Sequence, residues 1–158
     1  MAGDKTTETG IAGENALAPE SEGVYTFAGE KLDVDWDGRL CIHVGECTRA
    51  HGDLFVSGRK PWGRPDLATP ERVADVVQRC PTGALSYRRK DGGATETADE
   101  RNEVVIVNNG PLYVRGELGI EGAADDMPGV GFRVALCRCG ASKNKPFCDN
   151  GHEAVVFR

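Results

Sequence analysis

Six cysteines and three histidines are the residues of this 158-residue chain best equipped for chemistry. Cys137, Cys139, Cys148 and His152 crowd its last stretch, spaced C-x-C, eight residues, C-x3-H, in a loop punctuated by Gly140, Pro146 and Gly151. Thiolates with one imidazole are the donors that hold zinc or an iron–sulfur cluster. Cys41, Cys47 and Cys80 form a second constellation, with His43 close to its first member. Cys41 and Cys47 take the first and third positions of a C-x2-C-x2-C run, Val44 stands where the middle ligand would be, and Cys80-Pro81 supplies a distant ligand followed by proline. Three thiolates suit a [3Fe–4S] cluster; a [4Fe–4S] cluster needs another group on its fourth iron. His43 is the nearest candidate, and its other reading is a residue that supports or caps the ligand loop. His51 reads as a surface residue.

These donors need elements to place them. Residues 1–22, rich in Gly, Ala, Thr and Glu without an apolar period, read as a flexible tail. Val24–Phe27 and Lys31–Asp35 alternate as strands do, joined by a turn at 28–30, and Trp36-Asp37-Gly38 reads as a turn into Cys41. A short helical segment is expected through Ala50, then a loop over 52–68. Thr69-Pro70-Glu71 is a helix start: a capping hydroxyl, a proline at the first position, and an acid at the positive end of the dipole. Val73, Val76, Val77 and Cys80 follow at helical spacing, until Pro81 and Gly83 stop the helix and residues 84–87 make a closing strand. The acidic, Gly-containing stretch 91–103 reads as a linker. Short strands are expected at 104–107, 112–114 and 132–136, with Asn109-Gly110 as a turn.

Composition narrows the function. Apolar residues make up 39% and aromatic ones 6%, which fits two small metal-stapled lobes better than one large core. The net charge of −6 argues against nucleic acid as a partner, because phosphate binding needs clustered Lys and Arg. No apolar run is long enough to span a membrane and no signal peptide opens the chain, so the expected location is cytoplasmic, where cysteines read as metal ligands before disulfides.

Cys137, Cys139, Ser142, Pro146, Cys148, Asp149 and His152 together resemble the signature of the CDGSH (NEET-type) iron–sulfur domain. The resemblance implies that Cys137, Cys139, Cys148 and His152 hold one [2Fe–2S] cluster. Asn150-Gly151 departs from the family's Gly-Ser before the histidine. Residues from about 31 to 90, with C-x-H-x3-C and a Cys80-Pro-Thr-Gly-Ala-Leu85 finish, resemble the divergent single-cluster bacterial ferredoxin domain. Small ferredoxins that serve cytochromes P450 use three cysteines for a [3Fe–4S] cluster, so the resemblance implies [3Fe–4S], with [4Fe–4S] as the alternative, at Cys41, Cys47 and Cys80.

The expected fold is α+β: a tail at 1–22, a ferredoxin-like lobe at 23–90, a linker at 91–103, and a β-rich CDGSH-type lobe at 104–158. The expected function is a two-cluster electron carrier, not an enzyme, passing single electrons from a reductase to an oxygenase- or P450-like acceptor. No nucleophile–base pair, phosphate-cradling loop or dinucleotide fingerprint stands in the chain. The competing readings are a redox- or acid-sensing protein or [2Fe–2S] donor of the NEET type, and a structural zinc protein. The resemblance further implies a homodimer through the C-terminal lobe. Lys143, Lys145 and Arg138 read as solvent-facing, with charge balance around the cluster as their other role.

Overall fold

The computed structural model describes residues 23–50, 52–122, 127–128 and 130–158. The expectations for 1–22 and His51 lie outside them. The fold is α+β, with two three-stranded antiparallel sheets. The chain divides into two compact units.

The first unit takes the described residues up to Arg39, then Val44–Cys80 and Ala84–Glu96. Its sheet has the order β1 (Val24–Phe27), β2 (Leu32–Asp37), β3 (Leu85–Arg89). The β2 strand runs further than the alternation suggested. Trp36-Asp37, expected as a turn, continues it, because Trp36 pairs with Tyr25 on one side and Leu85 on the other and is buried. A short helix α1 (Glu46–Ala50) packs on helix α2 (Pro70–Gln78), which lies against β3, and a 3-10 turn at Pro65–Leu67 lies against β2.

The Thr69 side chain caps α2, accepting a hydrogen bond from the Arg72 amide at 3.2 Å. Val73, Val76 and Val77 are fully buried, each worth about 1.5–3 kcal/mol. Cys80 does not complete that stripe. The helix ends at Gln78, and Cys80 lies past it, half-buried. Proline disfavours the helical conformation in the residue before it, and Pro81 follows Cys80 directly.

The stretch 52–68 is ordered by two devices its composition hides. Trp62 packs against Phe55, Phe27 and Trp36, with ring centroids 5.0, 5.7 and 6.1 Å away. The Arg59 guanidinium donates to four carbonyls: Asp53 (2.7 Å), Leu54 (3.0 Å), Pro61 (3.1 Å) and Trp62 (2.9 Å).

The second unit comprises Leu40–His43, Pro81–Gly83 and Thr97–Arg158. The division after Glu96 falls inside the expected linker. Its sheet has the order β4 (Glu103–Ile106), β5 (Leu112–Arg115), β6 (Arg133–Leu136). Asn109, at φ 55°, and Gly110 turn the chain between β4 and β5, with Gly110 N–H bonded to Val107 O at 3.0 Å. Its buried residues include Leu40, Ile42 and Thr82 and, on β6 and the loop after it, Arg133, Val134, Ala135, Ser142, Phe147 and Cys148. Gly83, at φ 77°, also belongs here. A side chain on it would run into the Arg133 carbonyl, so only glycine suits the Cys-Pro-Thr-Gly turn.

Candidate metal centres

β6 delivers the chain directly to Cys137. The loop leaves the strand and returns beside it: Cys137 N–H donates to Pro146 O (2.8 Å), Cys148 N–H to Ala135 O (2.9 Å), and Leu136 bridges Phe147. Cys137 and Cys148 are thereby held across from one another by backbone hydrogen bonds rather than by side-chain packing. The Ser142 hydroxyl donates to Phe147 O (2.6 Å) and accepts from Asn144 N–H (2.9 Å). The Asp149 carboxylate accepts from Lys143 N–H (2.8 Å) and Gly151 N–H (2.9 Å). The motif's non-ligand residues are therefore the braces of the loop. A short helix, α3 (Gly151–Ala154), follows and carries His152.

The donors stand in two pairs. Cys137 Sγ lies 3.9 Å from Cys139 Sγ, and Cys148 Sγ lies 3.7 Å from His152 Nδ1. Two donors on one tetrahedral metal, with bonds of about 2.3 Å to sulfur and about 2.1 Å to nitrogen, stand about 3.6–3.8 Å apart. Each pair thus has the spacing of two ligands on one metal atom. Among the described residues, no three His, Cys, Asp or Glu side chains close around a single ion.

Backbone amides are aimed at the sulfurs. Gly140 N–H reaches Cys137 Sγ (3.3 Å), Ala141 N–H reaches Cys139 Sγ (3.3 Å), and Asn150 N–H reaches Cys148 Sγ (3.4 Å). Burial pushes the Cys137 thiol up, but the Ser142 and Gly140 amides, the neighbouring Cys139 and the Lys145 ammonium bring it net below its ordinary value. Burial pushes Cys148 up; the Asn150 amide offsets part of this, while Asp149, Cys137 and Cys139 add to it. Crowded thiolates of this kind are the donor set a cationic metal core relieves, so the residues fit an iron–sulfur group.

The basic residues of the loop divide. Lys145 Nζ donates to Ser142 O (2.9 Å) and its charge favours the Cys137 thiolate, the charge-balancing role. Arg138 is exposed, as expected, and also ties the loop to the β4–β5 turn: it donates to Gly110 O (2.9 Å) and Val107 O (3.0 Å) and lies 4.8 Å over the Phe157 ring. Lys143 is exposed.

Of the other constellation, Cys41 lies in the second unit, and Cys47 and Cys80 lie in the first. Cys41 Sγ accepts from His43 N–H (3.4 Å) and stands 3.7 Å from His43 Nδ1. His43 adopts φ 57° and is exposed. Cys47 sits on α1, and Cys80 N–H bonds to Val77 O at 3.1 Å beyond α2. None of the six cysteines is joined in a disulfide. One participant escaped the sequence reading: the Asn150 side chain donates to Ile42 O at 2.9 Å, 108 residues away in sequence. Its only sequence signal was the departure from the CDGSH pattern.

Paired sulfur and imidazole donors on braced loops define a metal-cluster protein of the iron–sulfur class. Comparison with known proteins agrees. Residues 27–90 match the family described as divergent 4Fe-4S mono-cluster, and residues 109–153 match the iron-binding zinc finger of CDGSH type. Over 68 residues the chain is 44% identical to Uncharacterized protein YjdI of Escherichia coli K12, covering 43% of this chain and 90% of that one. The YjdI protein of Escherichia coli O157:H7 matches equally. No solved structure matches. The chain belongs to the divergent 4Fe-4S mono-cluster family, with a CDGSH iron-binding domain following in the same chain.

Proposed function

We propose that this protein is a two-cluster electron carrier. It would exchange single electrons with redox proteins and act on no substrate of its own. The observation that carries this reading is the pairing of donors at one-metal spacing in the C-terminal loop. Two pairs suit the two irons of a [2Fe–2S] cluster, with Cys137 and Cys139 on one and Cys148 and His152 on the other. A single structural zinc would need all four donors mutually close. When bound, such a group accepts and releases one electron at a time.

The chain's own residues set the conditions. An imidazole at His152 in place of a thiolate leaves the site less negative, which favours the reduced state. The amides of Gly140, Ala141 and Asn150 act in the same direction by stabilising negative sulfur.

For the first site we propose a [3Fe–4S] cluster on Cys41, Cys47 and Cys80. The 3.7 Å separation places His43 beside Cys41, at the spacing of a shared metal atom rather than of a separate corner. His43 would then share the Cys41 iron or brace the Cys41 sulfur, and would not fill a fourth corner. The matched family's description favours [4Fe–4S] as the second reading.

Six cysteines spaced as metal ligands rather than as a disulfide framework support a reducing, cytoplasmic setting. No helix among the described residues is long and apolar enough to cross a membrane. The charge of −6 supports docking on a basic patch of a reductase donor and of an oxygenase- or P450-like acceptor. A homodimer through the second unit is supported by β4, an edge strand exposing Val104, Val105 and Ile106 at 59%, 44% and 67%. Light scattering tests it, and a monomer at micromolar concentration contradicts it.

Repeated reduction and reoxidation in the presence of an apo-ferredoxin tests the carrier reading. A carrier keeps its visible absorption through the cycles. Transfer of that absorption to the acceptor would instead establish a cluster donor, and a colourless, zinc-loaded protein would overturn both.

A further inference from the structure

The turns at Cys41 and Cys148 are built alike. In each, the cysteine sulfur accepts the amide two residues on: His43 N–H at 3.4 Å and Asn150 N–H at 3.4 Å. In each, that residue is a non-glycine in the left-handed region, His43 at φ 57° and Asn150 at φ 71°. Such a conformation costs a side-chain-bearing residue energy, and glycine would adopt it freely. Asn is one of the few residues that tolerate it. A reason to keep a side chain there must lie in what that side chain does.

The structure shows what it does. Asn150 Nδ2 donates to Ile42 O at 2.9 Å, the carbonyl between Cys41 and His43. Ile42 itself is buried. The carbonyl therefore has little access to water, and a neutral amide donor satisfies it. One residue thus serves both turns: its backbone N–H holds the Cys148 sulfur, and its side chain holds the middle of the Cys41–His43 turn. Both turns belong to the second unit.

We propose that Asn150 is a positioning residue that couples the two cluster sites, so that loading of either one strengthens retention of the other. This rests on the two-cluster reading. A metal at Cys148 and His152 fixes the backbone of Asn150, which fixes the Cys41 turn through Ile42. By linkage, a metal at Cys41 must favour the Cys148 turn by the same factor.

The test uses the full chain and follows iron release to a chelator under anaerobic conditions, with EPR separating the two clusters. Asn150→Gly keeps the left-handed turn and the amide bond to Cys148 while deleting the bridge. It should leave the C-terminal cluster's spectrum in place and release the Cys41 cluster about fivefold faster, the factor one net hydrogen bond carries. Asn150→Asp keeps the shape but turns an acceptor toward the Ile42 carbonyl, and should release it faster still. Emptying the first site with Cys47→Ala should speed loss of the C-terminal cluster in the Asn150 chain and not in Asn150→Gly. Wild-type release rates and EPR spectra in both Asn150 variants, or an equal effect of Cys47→Ala in both backgrounds, overturn the coupling alone. A wild-type chain without iron and sulfide overturns the two-cluster reading, and the coupling with it.

Discussion

The two candidate sites solve the same problem in opposite ways. The C-terminal site is built from residues 137–152, on a loop whose ends are held by strand-type bonds and whose middle is braced by Ser142 and Asp149. The cysteines of the other candidate set, Cys41, Cys47 and Cys80, are spread over 40 residues of sequence, among segments organised by an aromatic core and a capped helix. A local site writes its braces into the same short stretch as its ligands. A distributed site delegates them to the fold. The first should therefore fail by losing single loop bonds, the second by losing core stability.

The largest contrast comes from ligand deletion. Cys148→Ala should remove about two irons per chain and leave the Cys41–Cys47–Cys80 signal, while Cys47→Ala should do the reverse. Iron quantitation with EPR checks both. Arg59→Ala removes four hydrogen bonds to carbonyls, of which those of Leu54 and Trp62 keep a backbone donor. It should cost about 3 kcal/mol in denaturant unfolding and empty the first site before the second. Asp149→Ala frees two amides near the surface and should cost about 1–2 kcal/mol, read first as faster bleaching of the C-terminal cluster. His152→Cys should keep that cluster and lower its midpoint potential in a redox titration, since a thiolate adds negative charge. An unchanged potential would remove His152 from the ligand set.

The smallest effect is on the acid limb of the first unit. Burial raises the Asp33 pKa, but the Lys90 ammonium at 2.9 Å, the Gly29 amide and Arg88 bring it net below its ordinary 3.8. A carboxylate depressed in the folded state contributes stability that is full above its unfolded pKa and is lost as pH falls through the folded one. Unfolding from about pH 5 downward should show this slope, and Asp33→Asn should flatten it.

The same division explains what the residues disclosed in advance. The C-terminal loop was legible as CDGSH-type because Ser142, Pro146 and Asp149 are as specific as the candidate donors among them. Helix α2 was legible from Thr69-Pro70 and its valines, and the strands from their alternation. Trp36-Asp37 misled because a turn-like pair with Asp and a following Gly is also a strand end when the tryptophan is paired on both sides, here with Tyr25 and Leu85. Cys80 misled because its helical spacing continues past the real helix end. Arg59 and Asn150 were illegible because each acts on backbone carbonyls, which carry no sequence signature. Asn150 did break the CDGSH pattern, but the break named no partner.

The most direct test of the account is iron and acid-labile sulfide per chain in protein purified anaerobically, with EPR before and after reduction. The account predicts about five irons per chain with two distinct signals, about six if the first site holds [4Fe–4S]. Zinc in place of iron, or about two irons with a single signal, would contradict it.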